Sequence, residues 1–468
     1  MRALLVNPPP YRGVAQVREG RCMQRRGAWT SVWPPLSLAL TAAVLRRAGH
    51  QVRLIDAITA NLSLEQLAAE ADGYGPGLCI VNTATPSIDG DVAAAAAIKG
   101  RIPSCRTALI GIHPAALPDE TFALSPLFDA IVRGEPEAAA LDLASAQPLA
   151  SIPGISFRTA RGIRHNPDRA PIAGLDRLPF PAWDLIDIGG HRMPLSGEPF
   201  LLVPTGRGCP RHCRFCADHA YYGRRLRLFT PERIVDEIEH DLTAHGVRQF
   251  LFWAESFTLN RQHALTTAEE LIRRRLSVGW VCNSRVDQVD PELLAAFRRA
   301  GCWMIGYGFE SGSQRVLDLM GKGTTLAQAE LAVDWAHRAG LQVTGHLMLG
   351  YPGETEQDIR QTINFAKGLR LDFAQFYAAV PFPGSDLYRQ AVTHGWLTCS
   401  DWSRFEQNYS VLNAGQVLPS AVERLRRQAY RSFYLRPSQI IRTVRNLRTT
   451  GARRQALAAA LDFGSWAR

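Results

Sequence analysis

The stretch Gly206-Arg207-Gly208-Cys209-Pro210-Arg211-His212-Cys213-Arg214-Phe215-Cys216 decides how the rest of this chain is read. Its cysteines are spaced C-x3-C-x2-C, directly after an apolar run, residues 201–204, that reads as a strand. Three thiolates on one tight loop can hold three corners of an iron–sulfur cubane, with glycines letting the backbone approach the sulfides. One iron then lacks a protein ligand and is open to chemistry. A structural zinc site would want a fourth ligand, which His212 or His219 could supply, but the paired C-x2-C spacings usual for zinc are missing. The other six cysteines, Cys22, Cys79, Cys105, Cys282, Cys302 and Cys399, are scattered. Several sit in apolar strand patterns, where a small buried thiol is the default. Nine cysteines in 468 residues make no disulfide scaffold.

Outward from that loop, residues 201–378 alternate strand-like and helical patterns. Strands are predicted at 201–204, 249–252, 279–283, 304–309, 342–349 and 373–378. Thr230-Pro231-Glu232 and Asp290-Pro291-Glu292 each put a capping side chain before a proline at the first helical position. Gly246, Gly301 and Gly340 close three helices. Six β/α units are too few for a closed eightfold barrel, so the expectation is a partial, TIM-like (β/α)6 barrel over 201–395. The cysteine loop then sits at the carboxyl end of its first strand.

Residues 1–150 show the same alternation with shorter strands, at 3–6, 51–55, 78–81, 108–112 and 130–132, and helices at 36–48 and 89–99. That order implies a doubly wound, Rossmann-like parallel sheet, which binds ligands at the carboxyl ends of its strands. Those ends carry Asn7, Asp56, Thr83, His113 and Glu135. Residues 151–200 hold seven prolines and a small hairpin near 152–164, and read as a linker or strap. Residues 396–468 are expected to be a helical C-terminal region, with an arginine-rich stretch at 423–454 as a solvated helix face.

Hydrophobic residues make up 46%, enough for large cores, and the formal charge is +10. Only Lys99, Lys322 and Lys367 are lysines; the other 50 of the 53 cations are arginines. Their abundance is read mainly as a compositional bias, although guanidinium forks suit phosphate and carboxylate. No apolar run approaches the length of a membrane span, and the proline-bound start does not read as a signal peptide. A cytoplasmic enzyme is expected. The C-terminal arginines lack the aromatic interleaving of a single-strand platform, so nucleic acid is not an expected partner.

The cysteine triplet, with Phe215 before its last member, resembles the signature of the radical S-adenosylmethionine (SAM) superfamily. Phe252-Trp253-Ala254-Glu255-Ser256-Phe257-Thr258, Gly308-Phe309-Glu310-Ser311-Gly312, Gly350-Tyr351-Pro352-Gly353-Glu354-Thr355 and Pro381-Phe382-Pro383-Gly384-Ser385 look like its later barrel motifs, in order. The first domain is similar to the cobalamin-binding domain of the subgroup that includes the anaerobic porphyrin cyclase and radical methyltransferases.

The resemblance implies that Cys209, Cys213 and Cys216 hold a [4Fe–4S] cluster whose free iron chelates S-adenosylmethionine. One electron would then cleave the sulfonium to a 5′-deoxyadenosyl radical. Phe215 would lie near the adenine, and Glu310 and Ser311 would help hold the ribose and methionine parts. Arg285, just past the third barrel strand, is placed to pair the carboxylate, against the alternative of an ion pair with Asp287. Thr83, His113 and Glu135 are the matching cofactor-side positions of the first domain. An electron donor such as flavodoxin, ferredoxin or a partner reductase is implied.

Two positions depart from the family pattern. Ala254 stands where a first acid is usual, leaving Glu255. The loop that usually reads Gly-Gly-x-His is Ile110-Gly111-Ile112-His113, whose branched side chains would crowd a corrin. Cobalamin binding is therefore in question. The reading favours a substrate radical that undergoes dehydration or rearrangement, as in the subgroup's aminoglycoside diol dehydratase and hopanoid-associated ring-contracting members. Residues 21–26 and 82–87 resemble the latter. Cobalamin-dependent C-methylation is the alternative, and a non-catalytic iron–sulfur or nucleic-acid-binding protein a second one. The expected substrate is a small hydroxylated metabolite, and acid/base candidates at the barrel mouth are Glu255, His346 and Tyr377, then Gln375, His113, Tyr221 and Tyr222.

Overall fold

The computed structural model describes residues 1–19, 25, 31–194 and 196–446. The motif at 21–26, apart from Arg25, and the end of the arginine-rich stretch lie outside the described residues.

The first sheet follows from runs that are apolar on both faces. Its parallel strands are β1 (Arg2–Asn7), β2 (Gln51–Asp56), β3 (Leu78–Asn82), β4 (Arg106–Ile110) and β5 (Ala130–Val132). Helices α1 (Leu36–Arg47), α2 (Leu64–Tyr74), α3 (Ile88–Arg101), α4 (Ile112–Ala116), α5 (Pro118–Leu124) and α6 (Pro136–Ala144) connect and cover them. Every residue of β3 is buried, which is why it shows no polar alternation. The α2 segment escaped the periodicity reading. It carries a capping box, Ser63 with Gln66, but buries only Leu67, Ala68 and Ala71.

Two corrections concern this domain. The fourth strand stops at Ile110, and Ile112 begins a helix rather than ending a strand. The hairpin expected in the strap, β6 (Ile155–Thr159) and β7 (Gly162–His165), adds two antiparallel strands beside β5. The sheet order is β2-β1-β3-β4-β5-β6-β7, so this sheet runs past residue 150.

The second sheet is entirely parallel, in the order β15-β14-β13-β12-β11-β8. Its strands are β8 (Phe200–Pro204), β11 (Gln249–Trp253), β12 (Gly279–Ser284), β13 (Cys302–Glu310), β14 (Gln342–Leu349) and β15 (Phe373–Ala378). Short β9 (Gly206–Arg207) and β10 (Arg227–Leu228) follow β8. Its helices are α7 (Pro231–His245), α8 (Arg261–Arg273), α9 (Pro291–Arg299), α10 (Gln314–Leu319), α11 (Leu326–Arg338), α12 (Glu356–Gly368) and α13 (Asp386–Thr393). The predicted caps form: Thr230 accepts from the Arg233 amide and Asp290 from that of Leu293. Such a cap is worth about 1 kcal/mol.

β8 and β15 do not pair, which leaves the barrel partial. The edge at β15 is closed by α14 (Pro419–Tyr434), which α15 (Pro437–Asn446) follows. Tyr430 accepts the Phe376 amide at 3.0 Å, and Tyr434 both accepts the Ala374 amide and donates to its carbonyl. An open strand edge is thereby satisfied by two side chains instead of by another chain. The expected solvated face is thus only half of α14, whose Val422, Leu425, Ala429 and Phe433 join the barrel core. Among the described residues, no helix is long and apolar enough to cross a membrane.

Candidate active site

The cysteine loop leaves β8 and is clipped at its base by the antiparallel β9–β10 pair. Gly208 has φ +84, and a Cβ there would lie 2.3 Å from the Arg225 carbonyl oxygen, so no other residue fits this turn. The Arg214 amide reaches the Met320 carbonyl at 3.0 Å, fixing the loop to the barrel. All three cysteines line one cavity of about 310 Å³ that extends down the barrel axis. Three thiols on one loop suit three corners of a cubane, whereas a structural zinc ion takes four protein ligands.

Two buried cations flank the thiols. Arg285 is 6% exposed and places Nη1 3.8 Å from the Cys213 sulfur. Its Nε and Nη2 hold Asp287 at 2.8 and 3.0 Å, and Nη2 also donates to the Lys322 carbonyl at 2.8 Å. The Asp287 ion pair of Arg285 is formed, and Arg285 lines the cavity wall. Lys322 lies 2.8 Å from Glu310 and 5.9 Å from the Phe215 ring centroid. Sequence reasoning missed Lys322; the signal was that it is one of three lysines among 53 cations.

Glu310 occupies the left-handed region, φ +63, at an irregularity in the β13–β14 register. Such backbone in a non-glycine residue is costly and clusters at functional sites. A Cβ on Gly308 would stand 2.5 Å from the Glu310 carboxylate and 2.9 Å from Lys322 Nζ, so that glycine makes room for the pair. Ser311, expected beside Glu310 at the cofactor, is placed differently. It does not line the cavity but is fully buried, 3.1 Å from Thr362 Oγ1, where it fixes the turn onto α12.

Deeper in the barrel, alternate residues face the lumen as the pleat requires. On β14 these are Thr344, His346 and Met348; Gln375 and Tyr377 on β15 and Asn283 on β12 complete a polar lining. His346 Nδ1 is 3.2 Å from the Tyr377 hydroxyl, which donates to Gln375. Their rings stack at 6.0 Å. A Cβ on Gly306 would lie 2.4 Å from Asn283 Oδ1 and 3.2 Å from His346 Nε2, so the glycine keeps this region open. Glu255, at the end of β11, borders the same cavity nearer the cysteines. The predicted trio Glu255, His346 and Tyr377 thus shares one space with the thiols.

Thr83, His113, Glu135, Tyr221 and Tyr222 are not part of it. Thr83 donates to the Ile110 carbonyl at 2.8 Å, and a Cβ on Gly111 would meet Thr83 Oγ1 at 2.5 Å. His113 is 1% exposed, with its ring edge-on to Trp402 at 4.6 Å. Neither ring nitrogen has a hydrogen-bond partner among the described residues, and burial drives its pKa down to about 3. Glu135 is spent on the Ile172 amide, Arg207 and Arg227. Burial raises the pKa values of Tyr221 and Tyr222 and keeps both phenols neutral.

These residues form the seam between the two sheets, and the seam is packed. Ala84, Ile112, Ala217, Tyr221, Tyr222, Val380, Phe382, Phe405 and Val411 make one buried apolar cluster across it. The crevice between β1 and β3, where the order of strands reverses, is filled by Arg18. Its guanidinium meets Asp91 at 2.7 Å and the Pro8 carbonyl at 2.9 Å. Among the described residues, Arg18 and this apolar cluster occupy the carboxyl ends of the strands of the first sheet.

Residues 203–366 match the model of the radical SAM superfamily, and residues 27–144 that of the B12 binding domain. An uncharacterized methyltransferase of Pyrococcus horikoshii is 30% identical over 448 residues, covering 95% of each chain. The anaerobic magnesium-protoporphyrin IX monomethyl ester cyclase of Rubrivivax gelatinosus is 29% identical, over 83% of this chain and 70% of its own. The cytidylyl-2-hydroxyethylphosphonate methyltransferase of Streptomyces wedmorensis is 25% identical, over 78% of each. The cobalamin-dependent radical enzyme OxsB, solved with aqua-cobalamin and S-adenosylmethionine, shares the fold. Its TM-score is 0.73 at 16% identity, covering 100% of this chain and 71% of that one. The chain belongs to the radical SAM superfamily, in the group whose barrel is preceded by a B12 binding domain.

Proposed function

We propose that this chain is an enzyme that takes a hydrogen atom from a small, hydroxylated molecule held in the barrel lumen. The observation carrying it is the continuity of one cavity from the three cysteines to the polar set around His346. When bound at Cys209, Cys213 and Cys216, a [4Fe–4S] cluster with S-adenosylmethionine supplies a 5′-deoxyadenosyl radical, in this reading on an electron from flavodoxin, ferredoxin or a partner reductase. Arg285 places positive charge beside the thiolates, where it opposes the accumulation of negative charge. The Lys322–Glu310 pair offers one cationic and one anionic group for a zwitterionic, hydroxylated ligand, next to the flat face of Phe215. Asn283, His346, Gln375 and Tyr377 orient substrate hydroxyls by hydrogen bonds. Glu255 and His346 are the groups able to hold or move a proton at the reacting carbon.

Two fates of the substrate radical have support. The names of the Pyrococcus and Streptomyces relatives favour methyl transfer. The packed seam of this chain favours dehydration or rearrangement without a corrin, and it carries our reading.

Anaerobic reconstitution with iron, sulfide and hydroxocobalamin, then desalting and an absorbance spectrum, separates the fates. A spectrum without cobalamin is expected; a stoichiometric amount would return the assignment to methyl transfer. A metabolite screen for substrate-dependent 5′-deoxyadenosine release tests the activity itself, and release by none of a panel of polyols and amino sugars would count against the substrate class.

A further inference from the structure

The outside of the barrel carries a second set of metal-ligating side chains. His240, Asp241 and His245 lie on α7, between β8 and β11, and none of them borders the cavity. One donor atom from each lies within 4.8 Å of the other two. The two imidazole rings are 5.9 Å apart and nearly perpendicular, at 87°.

Asp241 gives this cluster its meaning. The residue has no exposed surface, and neither carboxylate oxygen has a hydrogen-bond partner among the described residues. A carboxyl taken out of water without donors is a costly arrangement that a cation relieves. Arg233, two turns back on the same helix, is committed to Glu237 at 2.8 Å. His240 is exposed and His245 partly so, which gives an ion and a water a route in. His245 is also the last residue of its helix, where unpaired carbonyls favour positive charge.

We propose that His240, Asp241 and His245 bind one divalent first-row metal ion of the zinc type. Two imidazoles and one carboxylate are an established ligand set for such an ion, with an outside water in the fourth position. The ion fastens the last turn of α7 and takes no part in the radical chemistry.

The test uses the full chain with its iron–sulfur cluster loaded, so that the thiols are occupied. It is titrated anaerobically with zinc and, separately, with cobalt(II). One equivalent should bind, and the cobalt form should show weak ligand-field absorption with no thiolate charge-transfer band. His240→Ala and His245→Ala, both near the surface, should each weaken binding by roughly tenfold or more, since even outer-shell partners cost that much. Deoxyadenosine production by both variants should be unchanged. Zinc should raise the melting temperature of the parent and not of the variants. No zinc bound by the cluster-loaded parent, or equal binding by both variants, would overturn the assignment, as would a cobalt spectrum of thiolate type.

Discussion

The guanidinium of Arg285 lies 3.8 Å from the sulfur of Cys213 while its other nitrogens grip Asp287. The ion pair sets the direction of the fork, and the fork leaves one nitrogen for the thiolate side. A hydrogen bond from a charged donor contributes about 1.5–3 kcal/mol. Arg285→Lys should therefore lower deoxyadenosine release by roughly 10- to 100-fold while leaving iron content intact, because ammonium cannot reproduce the fork. Iron analysis and a deoxyadenosine assay on the same preparation check this.

Cys213→Ala should remove both iron above background and deoxyadenosine production. A variant that keeps both would reject the ligand assignment.

Gly306→Ala examines the lumen without touching the thiols. Its Cβ would enter 2.4 Å from Asn283 Oδ1, so the side chains must shift, at about 1–3 kcal/mol of stability as in other overpacked interiors. Cleavage of S-adenosylmethionine should persist while turnover of substrate falls, seen as deoxyadenosine formed without product.

Glu354 accepts the amides of Gly350 and Tyr351, yet burial raises its pKa to about 8. The folded state therefore holds this proton more tightly than the unfolded chain, whose carboxyl titrates near its ordinary 4.5. The resulting stability is fully present below about pH 4.5 and is lost as pH rises through about 8. Glu354→Gln keeps an oxygen for the amides and should flatten that decline. Melting temperatures of both proteins at several values between pH 5 and 9 measure the difference.

Local chemistry accounts for what was legible beforehand. The cysteine spacing, the capped helix starts and the runs at β1, β3 and β5 each depend on neighbours in sequence, and each reappears in place. Lys322 was overlooked because nothing beside it in sequence indicates Glu310, which it meets only after α10 turns back. Ser311 sits in a motif, but the turn that follows points it at Thr362. His113 and Glu135 lie just beyond the ends of β4 and β5, at the starts of α4 and α6; what covers those positions comes from residues some 70 to 290 positions later, Arg207, Arg227 and Trp402 among them.

The amino-acid order alone thus determined two β/α sheets and a thiol loop at the mouth of the second, since periodicity, caps and spacing act over a few residues. Which polar groups face a ligand was decided only by tertiary packing. A buried seam consumes hydrogen-bonding capacity and volume that no local pattern reports, while a lumen between parallel strands leaves both available.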